Sequence, residues 1–156
     1  MKMISRSHLF VAIGITTAIV LTAFASLPRT LATIRMRTQR GVVELRAEIA
    51  RSPKEQREGL AGRRTLPDDR GMLFLWNEKV IPTFTMEGMR FPLDIIFIDE
   101  NGTIVDIAEN LPPCPNREGC AMVTPITPVR FALEVRAGFA EERGIARGDK
   151  ATVILP

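Results

Sequence analysis

Leu93-Asp94-Ile95-Ile96-Phe97-Ile98-Asp99, then Glu100-Asn101-Gly102, then Thr103-Ile104-Val105-Asp106-Ile107-Ala108-Glu109 is the stretch on which the fold class turns. Two runs rich in β-branched and aromatic residues flank a short polar segment ending in Gly, which predicts a β-hairpin. Upstream, Gly71-Met72-Leu73-Phe74-Leu75-Trp76 is an unbroken apolar run bounded by Gly71 and Asn77, as in a strand buried on both faces. Thr83 to Glu87 is read as its neighbour. Downstream, Val129 to Arg136 alternates Val129, Phe131, Leu133 and Val135 against Arg130, Ala132, Glu134 and Arg136. Lys150 to Leu155 makes a last strand, and Val42 to Ala50 a first one, with Val43, Leu45, Ala47 and Ile49 on its apolar side.

Helices are few. Ser52-Pro53-Lys54-Glu55 combines an N-cap, a proline at the first helical position and a capping-box Glu, so a short helix starts there and stops near Gly59 or Gly62. Ala137 to Arg143 adds one or two turns ending at Gly144. Seven strands and two short peripheral helices predict a mainly β (α+β) domain, a compact barrel or sandwich, with an open α+β sheet as the alternative.

The chain of 156 residues has room for one core. Its first 25 residues read as a secretory signal peptide: Lys2 and Arg6, an uncharged run over 9–27, and the small residues Ala23 and Ala25 around Phe24. An uncleaved membrane anchor through residues 9–27 is the alternative. Residues 26–41, with Arg29, Arg35, Arg37 and Arg40, read as a basic linker, and 42–156 as the domain. Either reading places the domain outside the cytoplasm, periplasmic or extracellular, unless translation starts at Met36. Residues 26–156 carry 19 basic and 18 acidic side chains, so the net charge of +3 for the whole chain falls to +1. Such a balance gives no case for nucleic-acid binding.

The single histidine, His8, lies in the N-terminal run. Beyond it there is no imidazole for Ser-His-Asp or Cys-His catalysis, nor for a histidine-ligated metal, and no metal or cofactor is expected. Cys114 and Cys120 are neither C-x-x-C nor zinc-spaced, and in an oxidising compartment they predict a disulfide.

The order Arg57-Glu58-Gly59-Leu60, Gly71-Met72-Leu73-Phe74, Pro92-Leu93-Asp94-Ile95-Ile96-Phe97-Ile98, then Leu133-Glu134 and Gly138 resembles the domain-of-unknown-function family 192 (uncharacterised protein family 0127) over residues 42–155. The resemblance implies a mainly β domain, usually exported or membrane-anchored, with no established activity. It departs from the family pattern at Ala61-Gly62-Arg63 and at Thr85-Met86-Glu87-Gly88-Met89.

Four charged residues form the candidate site. Asp94 opens an apolar strand and needs a partner if buried. Arg57 and Arg63 offer bidentate guanidinium groups. Glu134 lies opposite the apolar face of its strand, toward solvent or a groove. Together they suggest a pocket for a small polar ligand or a cell-envelope partner. A salt-bridge network fixing the helix onto the barrel, a carboxylate-dependent glycan hydrolase using Asp94 and Glu134, and a purely structural envelope module are the competing readings.

Overall fold

The computed structural model describes residues 30–156; the apolar run and the expected signal peptide or anchor lie outside them. The hairpin is present as β5 (Leu93–Ile98) and β6 (Ile104–Leu111), antiparallel. Its turn is organised by Asp99, whose carboxylate accepts the N–H groups of Asn101 and Thr103 at 2.9 and 2.7 Å. Around it a seven-stranded sheet runs β6-β5-β8-β3-β2-β1-β9. Here β8 is Val129–Arg136, β3 Arg70–Val80, β2 Gly41–Ala50, β1 Leu31–Thr38 and β9 Lys150–Ile154.

Among the described strands only β2 and β3 pair in parallel, and a parallel pair needs a crossover rather than a tight turn. That crossover carries helix α1 (Pro53–Glu58), whose capping box of Ser52 and Glu55 is formed and whose C-cap is Gly59. The second helix, α2 (Phe139–Arg143), ends at Gly144 as its sequence indicates.

The sheet curls until its edges meet at one end, giving a half-barrel and not a two-sheet sandwich. Thr103, just before β6, bridges to Lys150. Ile104 donates to the carbonyl of Asp149 at 2.9 Å, and Ala151 to that of Gly102 at 2.7 Å. Gly102 sits at φ +74°, and a Cβ there would collide with the Ala151 carbonyl oxygen, so this seam requires glycine.

Each face of the sheet has its own core. Inside the curl, Ile34, Met36, Leu45, Leu73, Ile96 and Leu133 pack with Phe139 of α2. On the outer face, Met72, Phe74, Ile95 and Phe97 are covered by Leu60, Phe84, Met86 and Met89. A two-stranded sheet lies over this outer face, β4 (Phe84–Thr85) with β7 (Met122–Val123).

Two expectations are corrected. The stretch 26–41 is not all linker, because Leu31–Thr38 forms β1 between β2 and β9, with Ala32, Ile34 and Met36 fully buried. Its arginines 35 and 37 alternate outward, so the run of charge hid a period-2 strand. A start at Met36 would remove five of the eight residues of that strand. Residues 83–87 do not extend the main sheet beside 71–76; Phe84 and Thr85 pair instead with a segment too short to show periodicity.

Cys114 and Cys120 are joined, with Cα atoms 5.6 Å apart. The bridge closes a loop pinned to the body where Cys114 donates to Met89 and accepts from Gly88, at 3.0 and 2.9 Å. Reduction is expected to add two hydrogens to the intact mass and to lower stability by about 2–3 kcal/mol, from the loop it closes. A mass unchanged by reductant would contradict the bond.

Candidate functional site

Asp94 and Glu134 point to opposite faces of the sheet. In the β5–β8 register Asp94 pairs with Val135 and Ile95 with Glu134. Paired residues share a face and successive residues alternate. The expected pocket uniting the two carboxylates therefore does not form, and neither does a glycosidase pair made from them.

Asp94 is fully buried and has no arginine partner among the described residues. Its carboxylate accepts three backbone N–H groups instead, from Asn110 at 2.8 Å, Gly138 at 3.2 Å and Ala140 at 3.0 Å. Gly138 is the N-cap of α2 and has no side chain to cap with, so Asp94 does this from a neighbouring strand. It ties β5, the end of β6 and α2 together.

Glu134 lies on the outer face at the floor of an open cleft of about 1140 Å³. The cleft runs between the α1 segment and β4, with Arg57, Gly59, Arg63, Trp76, Phe84 and Arg117 among its walls. Arg57 and Arg63 thus reach the same cleft as Glu134, while Asp94 does not. Glu134 is 6% exposed, and its Oε2 is buried with no hydrogen-bond partner among the described residues. Burial pushes its carboxyl up to about 8, and the Arg63 guanidinium opposes this without cancelling it.

Arg63 is held elsewhere. Its two terminal nitrogens grip the carboxylate of Glu48 at 2.5 and 2.8 Å. Glu48, Met72 and Glu134 occupy one row across β2, β3 and β8. Arg63 therefore bears on the Glu134 carboxyl by charge and makes no hydrogen bond to it. Above Glu134 the chain passes close: a Cβ on Gly59, at φ +48°, would lie 3.4 Å from the Phe74 ring and 3.8 Å from Glu134 Oε2. The aromatic wall is Phe74 stacked with Trp76 at 6.3 Å, with Phe84 edge-on to both. Phe74 is core, whereas Trp76 is half-buried and borders the cleft.

Sequence reasoning missed Glu48 and Arg117. Glu48 sits on the polar side of an alternating strand, where nothing separates a pocket residue from a solvated one. Arg117 stands in the disulfide loop at φ +62° and reaches the cleft, pairing with Glu87 at 3.5 Å. Trp76 did carry a signal, since Met72, Phe74 and Trp76 share one face of a strand. Among the described residues no three His, Cys, Asp or Glu side chains are grouped so as to hold a metal ion.

The family model DUF192, described as an uncharacterized ACR, matches residues 34–153. The chain belongs to this family. Two solved structures extend the likeness. One is a proposed transcription regulator from Sinorhizobium meliloti 1021, 32% identical, with a TM-score of 0.73 over 80% of this chain and 95% of the other. The second is a protein of unknown function from Novosphingobium aromaticivorans DSM 12444, 34% identical, with a TM-score of 0.71 over 78% of this chain and 84% of its own. No curated protein matches significantly. The DUF192 match starts at Ile34, inside β1, so the first strand belongs to the family domain.

Proposed function

We propose that this DUF192 domain binds a small polar ligand in the cleft over Glu134 and does not catalyse a reaction. The observation that carries the reading is the buried, unpartnered Oε2 of Glu134 at the cleft floor. A buried polar atom left without a partner costs on the order of 1–3 kcal/mol, and a ligand that satisfies it recovers that energy. With Asp94 on the far face, Asp94 and Glu134 do not form the carboxylate pair of a glycosidase. The chain's two cysteines are joined in the disulfide, so no thiolate is available as a nucleophile.

Export, with the domain periplasmic or extracellular and cleaved after Ala25 or anchored through residues 9–27, completes the proposal. The disulfide is compatible with an oxidising compartment. A role in transcription, as proposed for the Sinorhizobium meliloti protein, is disfavoured by the near-neutral balance of residues 26–156, with 19 basic and 18 acidic side chains.

Thermal-shift screening against sugars, peptidoglycan fragments, amino acids and small organic acids tests the reading. A compound that raises the melting temperature of the wild type and not of Glu134→Leu is the expected result. A screen with no shift, or shifts that Glu134→Leu leaves intact, would remove the cleft as the binding site.

A further inference from the structure

Charges around the cleft are matched almost everywhere. Glu58 pairs with Lys54 at 3.8 Å, Glu87 with Arg117 at 3.5 Å, and Arg63 with Glu48 at 2.5 Å. Two lining groups are left over among the described residues. One is the Glu134 carboxyl at the floor; the other is the Arg57 guanidinium, exposed on α1 with no ion pair or hydrogen bond. With Glu134 protonated, the lining holds three guanidinium groups against the two ionised carboxylates of Glu58 and Glu87.

That balance selects the sign of the ligand. A cation would have to ionise Glu134 in a dry site and sit among arginines. An anion meets Arg57 and leaves Glu134 protonated, able to donate to a neutral oxygen or to a carboxylate. Among the described lining residues only one cation is unmatched, which fits a single negative charge, and a planar guanidinium suits the planar carboxylate. In the same cleft the half-buried Trp76 supplies an aromatic wall against which a ring can pack. The volume of about 1140 Å³ leaves ample space for a ring-sized body.

We infer that the cleft takes a ring-sized monocarboxylate, a sugar acid or an aromatic acid, with its anion on Arg57 and its body over Trp76 and the buried, unpartnered Glu134 carboxyl. This rests on the cleft being the binding site and adds the chemical class of its occupant. Proton and ligand are then coupled, because ionisation of Glu134 beside the bound anion opposes binding. The titratable groups that share the lining are Arg57, Glu58, Arg63, Glu87 and Arg117, and the carboxylates among them are already paired.

Isothermal titration of the full chain with sodium glucuronate and sodium benzoate distinguishes the two sources of the carboxylate. Glucose, benzyl alcohol, inorganic phosphate and butylamine serve as controls. At least one acid is expected to bind at pH 6.5 about tenfold or more tightly than its neutral counterpart, with Arg57→Ala weakening it about tenfold, the worth of one charge-assisted contact. Affinity should fall as pH rises past about 8 in the wild type and stay level in Glu134→Gln.

Failure of both acids to bind overturns the inference, as does tighter binding of phosphate, indifference to Arg57→Ala, or a pH profile that Glu134→Gln leaves unchanged. If glucose, benzyl alcohol or butylamine binds as well as the acids and Glu134→Leu abolishes it, the chemical class is wrong and the cleft still stands. If neither these probes nor the wider screen yields a ligand, both readings fall.

Discussion

Asp94→Ala is expected to lower the unfolding free energy by about 3–5 kcal/mol, read from the denaturant midpoint at constant m-value. The loss is not that of a salt bridge. Three backbone N–H groups, that of Ala140 buried and those of Asn110 and Gly138 partly so, would face a cavity with no acceptor. Each such orphan costs on the order of 1–3 kcal/mol. Asp94→Asn should fall between, about 1–2 kcal/mol. One amide oxygen still serves Asn110 and Gly138, but its NH2 turns a donor toward the Ala140 N–H. Removing Arg57 should leave stability within about 0.5 kcal/mol, as for ordinary surface positions. An Asp94→Ala domain as stable as the wild type would show that the carboxylate does not bind α2 to the sheet.

Glu134 gives the opposite sign. Its carboxyl titrates near 8 in the folded state and near 4.3 in the unfolded chain. Below the unfolded value both states hold the proton and the residue contributes no pH dependence. Between the two values the unfolded chain ionises while the folded protein stays protonated, so stability falls as pH rises, and the loss is complete above about 8. Over the whole window the change is on the order of several kcal/mol. Glu134→Gln cannot ionise. Its stability minus that of the wild type should therefore be greater at pH 8.5 than at pH 4, and taking that difference cancels the other carboxylates. Parallel stability curves across this range would mean that Glu134 is solvated in the folded protein.

Much of the fold was legible because local and global signals agree. Ser52, Pro53 and Glu55 mark the start of α1 whatever packs on it, and Gly102 marks a turn that no other residue type would fit at the seam. Leu31–Thr38 was obscured by its own arginines: Arg35 and Arg37 face outward, and the partner of Arg35, Glu44, stands on a different strand. The candidate site was half legible. The alternation of Val129 to Arg136 placed Glu134 away from its strand's apolar face, and the groove found there is the consequence. The role of Asp94 could not be read, since its donors are backbone amides 16, 44 and 46 residues away, and amides carry no residue identity.

The seam between Gly102 and Ala151 also bears on when the domain can fold. β9 is the last strand, and it pairs with the first, Thr33 opposite Ile154. A chain emerging from the ribosome, or threading through a translocation channel, holds β1 long before β9 exists to cover it. The sheet therefore cannot complete its circuit until β9 is available, and such long-range pairing is slow to form. In this architecture the N-terminal half of the sheet stays open along β1 until the chain is long enough to include β9.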